Sequence, residues 1–115
     1  MSENSNFTVV TGQATKWAAD ITVNDCKKYG KVCSCNISAQ KATGTLTAGE
    51  ALFSLPWGVN VVASGAFYTV VGRNTTSGAS GAISVKINPD YNTVSPVVNY
   101  SEYNQVLCYL TYLTQ

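Results

Sequence analysis

Apolar and polar residues alternate along much of this chain with a period of two, the spacing of a strand with one buried face. The clearest run is residues 31–42. There Cys33, Cys35, Ile37 and Ala39 share one side, and Ser34, Asn36, Ser38 and Gln40 share the other. This predicts a strand with one dry and one wet face. Residues 81–88 repeat the pattern, with Ile83, Val85 and Ile87 inward and Ser84 and Lys86 outward. Ile21 and Val23 alternate with polar neighbours in 19–24, and shorter strands are expected at 7–10 and 50–55. Between these runs lie turn-rich segments: 25–30, Pro56-Trp57-Gly58, 72–80, and a loop or edge at 89–96. No long window carries a 3.6-residue period. Short strands separated by turns predict an all-β, antiparallel, jelly-roll-like β-sandwich.

Two runs are apolar on both faces. In 105–114, Val106, Cys108, Leu110 and Tyr112 fall on one side and Leu107, Tyr109 and Leu113 on the other. In 60–71, Val62, Ala66, Tyr68 and Val70 make a similar demand, and Gly65 suggests a bulge. A sandwich wall needs only one apolar face, so the second must meet a sheet, a terminal segment or another subunit. Tyr68, Val70, Leu107, Tyr109 and Leu113 are therefore expected at an oligomer interface. The alternative cover is an N-terminal arm, residues 1–18, carrying Phe7 and Trp17. The remainder, 19–115, reads as one sandwich domain.

Composition narrows the function. Only 11% of the 115 residues are charged and the net charge is +1, while 45% are hydrophobic. That excludes disorder and gives little electrostatic steering. Lys27, Lys28 and Lys31 read as a solvated hairpin tip, so no nucleic-acid partner is expected. No apolar run is long enough for a transmembrane helix, and no membrane insertion is expected. The first five residues lack the basic and apolar regions of a signal peptide. The expectation is a chain kept in the cytoplasm until release, or one whose leader has been removed.

Catalytic chemistry is poorly supplied. There is no histidine, and the six carboxylates are dispersed. An Asp90–Glu102 pair is the only glycosidase arrangement worth weighing, and no enzyme activity is expected. Cys33-x-Cys35 lacks zinc-knuckle spacing. The stretch Asn88-Pro89-Asp90-Tyr91-Asn92 offers oxygen ligands for calcium, but these residues are also turn formers. Neither a metal nor a cofactor is expected. Cys26, Cys33, Cys35 and Cys108 are read as free core thiols, with pairing of Cys26 with Cys33, or of Cys108 with another strand, left open.

Binding chemistry is better supplied. Tyr91, Tyr100 and Tyr103 fall in a polar segment, and Trp57 sits in a turn. Aromatic rings among amides and hydroxyls suit stacking on sugars or anchoring to proteins. The candidate receptor-binding residues are Trp57, Arg73, Asn74, Tyr91 and Asn92. Trp57 as an apolar cap over the sandwich end is the competing reading.

The stretch from Ile21 to Val32, ending Lys28-Tyr29-Gly30-Lys31-Val32, resembles the opening of a known group of domains. These are the C-terminal receptor-binding domains of tail-fibre and baseplate proteins from phages of Gram-positive bacteria. Leu55-Pro56-Trp57-Gly58 matches a following turn, Gly81 to Ile87 a later strand, and Tyr109-Leu110-Thr111-Tyr112-Leu113 the aromatic final strand. The resemblance spans residues 21–113 in order. It departs where the family often reads Tyr-Arg-Pro after that turn and this chain reads Val59-Asn60-Val61. The resemblance implies a homotrimeric, non-enzymatic head at a fibre tip, made in the bacterial host cytoplasm and carried on the virion. Its implied partners are other fibre or virion proteins and a host cell-surface saccharide or protein. A trimerising structural domain without receptor binding, and a secreted carbohydrate-binding adhesin module, are the alternatives.

Overall fold

The computed structural model describes residues 9–42, 45–60, 67–88 and 91–115. The expectations for Phe7, Val62, Gly65, Ala66 and Asp90 lie outside these residues. Among the described residues there are nine strands and no helix. They are β1 (Val9–Gly12), β2 (Thr15–Lys16), β3 (Asp20–Tyr29), β4 (Val32–Gln40), β5 (Phe53–Ser54), β6 (Phe67–Arg73), β7 (Ser80–Asn88), β8 (Thr93–Pro96) and β9 (Gln105–Leu113).

All nine pair antiparallel in one curled sheet of order β1-β3-β4-β9-β6-β7-β8-β5-β2. The all-β antiparallel class expected from the sequence holds, in a form compatible with a sandwich. The two walls are parts of the same sheet. Its outermost strands, β1 and β2, are consecutive in the chain and separated by only Gln13 and Ala14. Asn24 of β3 secures this corner. Its amide donates to the Ala14 carbonyl at 2.8 Å and accepts from the Ala14 N–H at 2.7 Å, standing in for a missing ladder partner.

The core lies between the walls. β4 contributes Cys33, Cys35, Ile37 and Ala39; β7 contributes Ile83, Val85 and Ile87; β9 contributes Val106, Cys108, Leu110 and Tyr112. Phe53, Leu52, Leu46 and Val94 fill the far side. Each fully buried Leu, Ile, Val or Phe is worth about 1.5–3 kcal/mol against exposure.

Several strand boundaries differ from the sequence reading. Residues 25–29, expected in a turn, continue β3, and the reversal falls at Gly30 and Lys31, with Tyr29 opposite Val32. Gly30 takes a positive φ of 59°, which a tight hairpin requires and glycine tolerates. A bulge between Ile21 and Val23 interrupts the same strand. Residues 93–96, expected in a loop or edge, form β8, an internal strand held between β7 and β5. Its Thr93 and Ser95 are buried, and the Asn88 amide donates to both hydroxyls, at 3.2 and 2.8 Å. Another difference is β6, which runs two residues past Val71 to Arg73.

Tyr100 and Tyr103 turn out to pack against the core, with ring centroids 6.5 Å apart. Gly72 and Gly81 face each other across β6 and β7. A methyl group on Gly72 would sit 2.8 Å from the Tyr103 ring, so the missing side chain is what admits that ring.

Candidate functional site

An exposed apolar surface lies on the outer side of β9 and β6. Strand alternation turns Val106, Cys108, Leu110 and Tyr112 inward and Leu107, Tyr109, Thr111 and Leu113 outward. Register places Leu107 beside Val71 and Tyr109 beside Asn36. Tyr109 is 78% exposed and Phe67 67%, with Val71 and Leu113 also open. Such exposure is unusual in the middle of a nine-stranded sheet. Tyr109 stands between two grooves. One, of about 430 Å³, is lined mainly by Thr69, Val71, Ala82, Leu107 and Tyr109 itself. The other, of about 130 Å³, is lined by Asp25, Lys27, Tyr29, Ser34, Asn36 and Tyr109.

The five residues expected at an oligomer interface therefore divide. Leu107, Tyr109 and Leu113 are on the outer surface. Val70 is buried in the core and Tyr68 packs against it, because even-numbered positions of β6 point inward. The outward residues of β6 are Phe67, Thr69 and Val71, and these take the place of Tyr68 and Val70 on the exposed face.

The five residues expected to bind a receptor are also split. Arg73 and Asn74 sit at the hairpin between β6 and β7, opposite Gln105. Trp57 and Asn92 sit near Tyr112, at the other end of β9. Seven residues of strand separate the two groups, about 23 Å at 3.3 Å per residue. Several are occupied structurally. The Asn74 carboxamide oxygen accepts from the N–H groups of Thr76 and Ser77 at 2.9 and 3.0 Å, and its amide donates to the Glu102 carbonyl. That is an Asx turn building its own loop. Asn92 has a φ of 53°, and its side-chain oxygen accepts from the Val59 N–H at 3.1 Å. Trp57 packs against the core over Gly12. The Tyr112 hydroxyl donates to the Trp57 carbonyl at 3.0 Å and accepts from its N–H at 3.3 Å. The Lys28 ammonium lies 5.7 Å from the Trp57 ring centre, within cation–π range. Arg73 and Tyr91 remain exposed.

Tyr91 has a neighbour that the sequence reading assigned to a covering arm. The rings of Trp17 and Tyr91 lie 5.9 Å apart and tilted by 50°. Trp17 is 50% exposed and Tyr91 68%. Nothing local in the sequence joins them, since 73 residues separate them in the chain. A third groove, of about 270 Å³, is lined by Thr45, Leu46, Thr47, Asn99 and Ser101 and contains no aromatic ring.

The four thiols are free and buried. Cys26 pairs with Cys35 across β3 and β4, and the sulfurs of Cys33 and Cys35 are 3.6 Å apart. No group of three or more metal-binding side chains is found among the described residues. Burial pushes the Cys108 thiol up to about 12 from an ordinary value of 9.0. Burial also raises Cys33. Cys35 is raised by its hydrogen bond with Cys26 and by burial, and that same bond lowers Cys26.

This gives a pH dependence with a definite sign. Between pH 9 and 12 the folded chain keeps the Cys108 proton while the unfolded chain releases it. Stability is therefore full below pH 9 and falls as pH rises, by up to about 1.4 kcal/mol per unit from this group. Urea midpoints at pH 8, 9 and 10 should decline, and the decline should flatten in Cys108→Ala. Equal slopes in both proteins would remove Cys108 as the cause.

No protein-family model matches the chain, and no curated protein sequence matches it. Among solved structures, it is similar to the receptor binding protein of Listeria phage PSA. The identity is 17% and the TM-score 0.59, over 97% of this chain and 68% of that one. At this identity the likeness establishes a common fold.

Proposed function

We propose that this domain is a non-enzymatic receptor-binding head at the tip of a phage tail fibre, attaching the virion to a host cell-surface saccharide or protein. The observation that carries the reading is the fold likeness to a phage receptor binding protein across 97% of the chain. The resemblance in residues 21–113 supports it independently.

The head works as a homotrimer. The outer face of Phe67, Val71, Leu107, Tyr109 and Leu113 supports this, because it is the kind of apolar patch that subunits cover. Three heads on one fibre would turn individually weak contacts into firm attachment through high effective concentration. On this reading the chain resides on the virion after synthesis in the host cytoplasm, and its other partners are fibre proteins.

A role in binding rather than catalysis fits the side chains. Of the described carboxylates, Asp20 is paired with Lys16 and Glu50 with Lys41, leaving neither poised for acid–base work. The test has two parts. Light scattering after gel filtration in reductant should give three times the chain mass. Purified Gram-positive cell walls should then retain the trimer from at least one species. A monomer that no cell wall retains would contradict the proposal.

A further inference from the structure

We propose that Trp17 and Tyr91 form a stacking site for a neutral saccharide ring, an assignment that rests on the receptor-binding reading and names the chemistry of its ligand. The two rings are the exposed aromatic pair among the described residues. The other pair, Tyr100 and Tyr103, packs against the core. Trp57, the aromatic residue that the sequence favours, is held by Tyr112 and faces the Lys28 ammonium. It has little freedom to serve a ligand.

The surroundings of Trp17 and Tyr91 suit a sugar. Register aligns Thr15, Ser54, Thr93 and Asn88 as one cross-strand row over β2, β5, β8 and β7. Trp17 lies two residues beyond Thr15, and Tyr91 two residues before Thr93. The pair thus flanks a row of polar side chains, of which Thr93 is buried and bonded to the Asn88 amide, Ser54 is half-buried and Thr15 is exposed. A pyranose presents one apolar C–H face and a rim of hydroxyls. Rings tilted by 50° can cover the first, and side-chain and backbone polar groups at the edge of the row can meet the second.

Charge argues for a neutral ligand. Lys16 and Asp20 flank Trp17, and their ion pair at 2.5 Å cancels locally. The chain carries a net charge of only +1, so no field favours an anion. Trp17 also follows directly on β2, an outermost strand of two residues, where a polymer can pass without steric conflict. The hydroxyl-lined groove at Leu46 lacks the aromatic platform.

The chain has two tryptophans, so their indole N–H resonances report the two positions separately. Loss of one resonance in Trp17→Phe assigns them. The protein is titrated with glucose, galactose, rhamnose, N-acetylglucosamine and N-acetylgalactosamine, with glycerol 3-phosphate as the anionic control. At least one sugar should shift the Trp17 signal saturably, with a dissociation constant on the order of millimolar, and leave Trp57 in place. Tyr91→Ala should weaken that binding at least tenfold, with a wild-type urea midpoint. The proposal is overturned if no sugar moves Trp17, if the shift survives Tyr91→Ala unchanged, or if only glycerol 3-phosphate produces it.

Binding of labelled protein to intact Gram-positive cells separates this site from the wider reading. Equal binding by wild type and by Trp17→Ala/Tyr91→Ala would reject the site and leave receptor binding standing. Wild-type protein that binds no cells would count against receptor binding, and the titration would still decide the site.

Discussion

Under the proposed trimeric assembly, Tyr109→Lys should give monomers while leaving the fold intact. Tyr109 is 78% exposed at the centre of the outer sheet face, so its ring contributes little to the core of its own chain. Substitutions at such positions usually change stability by less than about 0.5 kcal/mol. In a trimer the same ring would be buried, with Leu107, Val71 and Leu113 around it. Central aromatic anchors of interfaces typically cost about 2 kcal/mol or more when lost, roughly a thirtyfold weakening for each interface. An unpaired ammonium adds desolvation to that loss. Light scattering should therefore report the mass of one chain at micromolar concentration, with an unchanged circular dichroism spectrum. A Tyr109→Lys protein that stays trimeric would place the interface elsewhere on the surface.

Asn104→Ala should cost about 2–4 kcal/mol, the largest loss expected from a single polar side chain here. Asn104 is buried ahead of β9 and connects three segments. Its amide donates to the Lys41 carbonyl at 3.0 Å and to the Thr75 hydroxyl at 2.9 Å. Its carboxamide oxygen accepts from the Thr75 N–H at 2.9 Å. The backbone adds two more bonds: its N–H donates to the Arg73 carbonyl and its carbonyl accepts from the Lys41 N–H. Truncation leaves buried groups without partners, which costs more than an average hydrogen bond contributes. Asn104→Asp should recover only part of the loss, because a carboxylate cannot donate to the Lys41 carbonyl. Urea unfolding should show a lower midpoint with an unchanged slope. An Asn104→Ala midpoint equal to wild type would mean that the backbone bonds alone hold the junction.

These two residues illustrate what the sequence could and could not convey. The two-faced character of β9 was legible, because alternation in Val106 to Leu113 leaves apolar residues on both sides. β4 was legible for the same reason. The outer face of β6 was misassigned by one residue, since Phe67 and Val71 fall on one side and Tyr68 and Val70 on the other, and periodicity alone does not set which side is inward. β8 was missed because its buried Thr93 and Ser95 look like loop residues. Their burial depends on Asn88 across the hairpin, a partner that composition does not identify. The turn at residues 25–30 was drawn too long, because two lysines next to a glycine suggest a tip. In the fold, Lys28 instead reaches towards Trp57.

The candidate binding residues were less legible than the fold. Trp57 and Trp17 are both tryptophans in irregular segments, and the sequence favoured the one between Pro56 and Gly58. What separates them is long-range: Tyr112, 55 residues away, holds Trp57, while Tyr91 stands beside Trp17. Asn74 and Asn92 look like ligand-facing amides until their backbone partners are seen.

The central claim is that the domain attaches a virion to a cell, and adsorption measures it directly. Fluorescently labelled wild-type protein and its Tyr109→Lys variant would be incubated with intact cells of a panel of Gram-positive species. The account predicts saturable decoration of at least one species, competed by unlabelled protein, with the monomeric variant retained at least a hundredfold less because avidity is lost. Folded wild-type protein that decorates no species in the panel would contradict it.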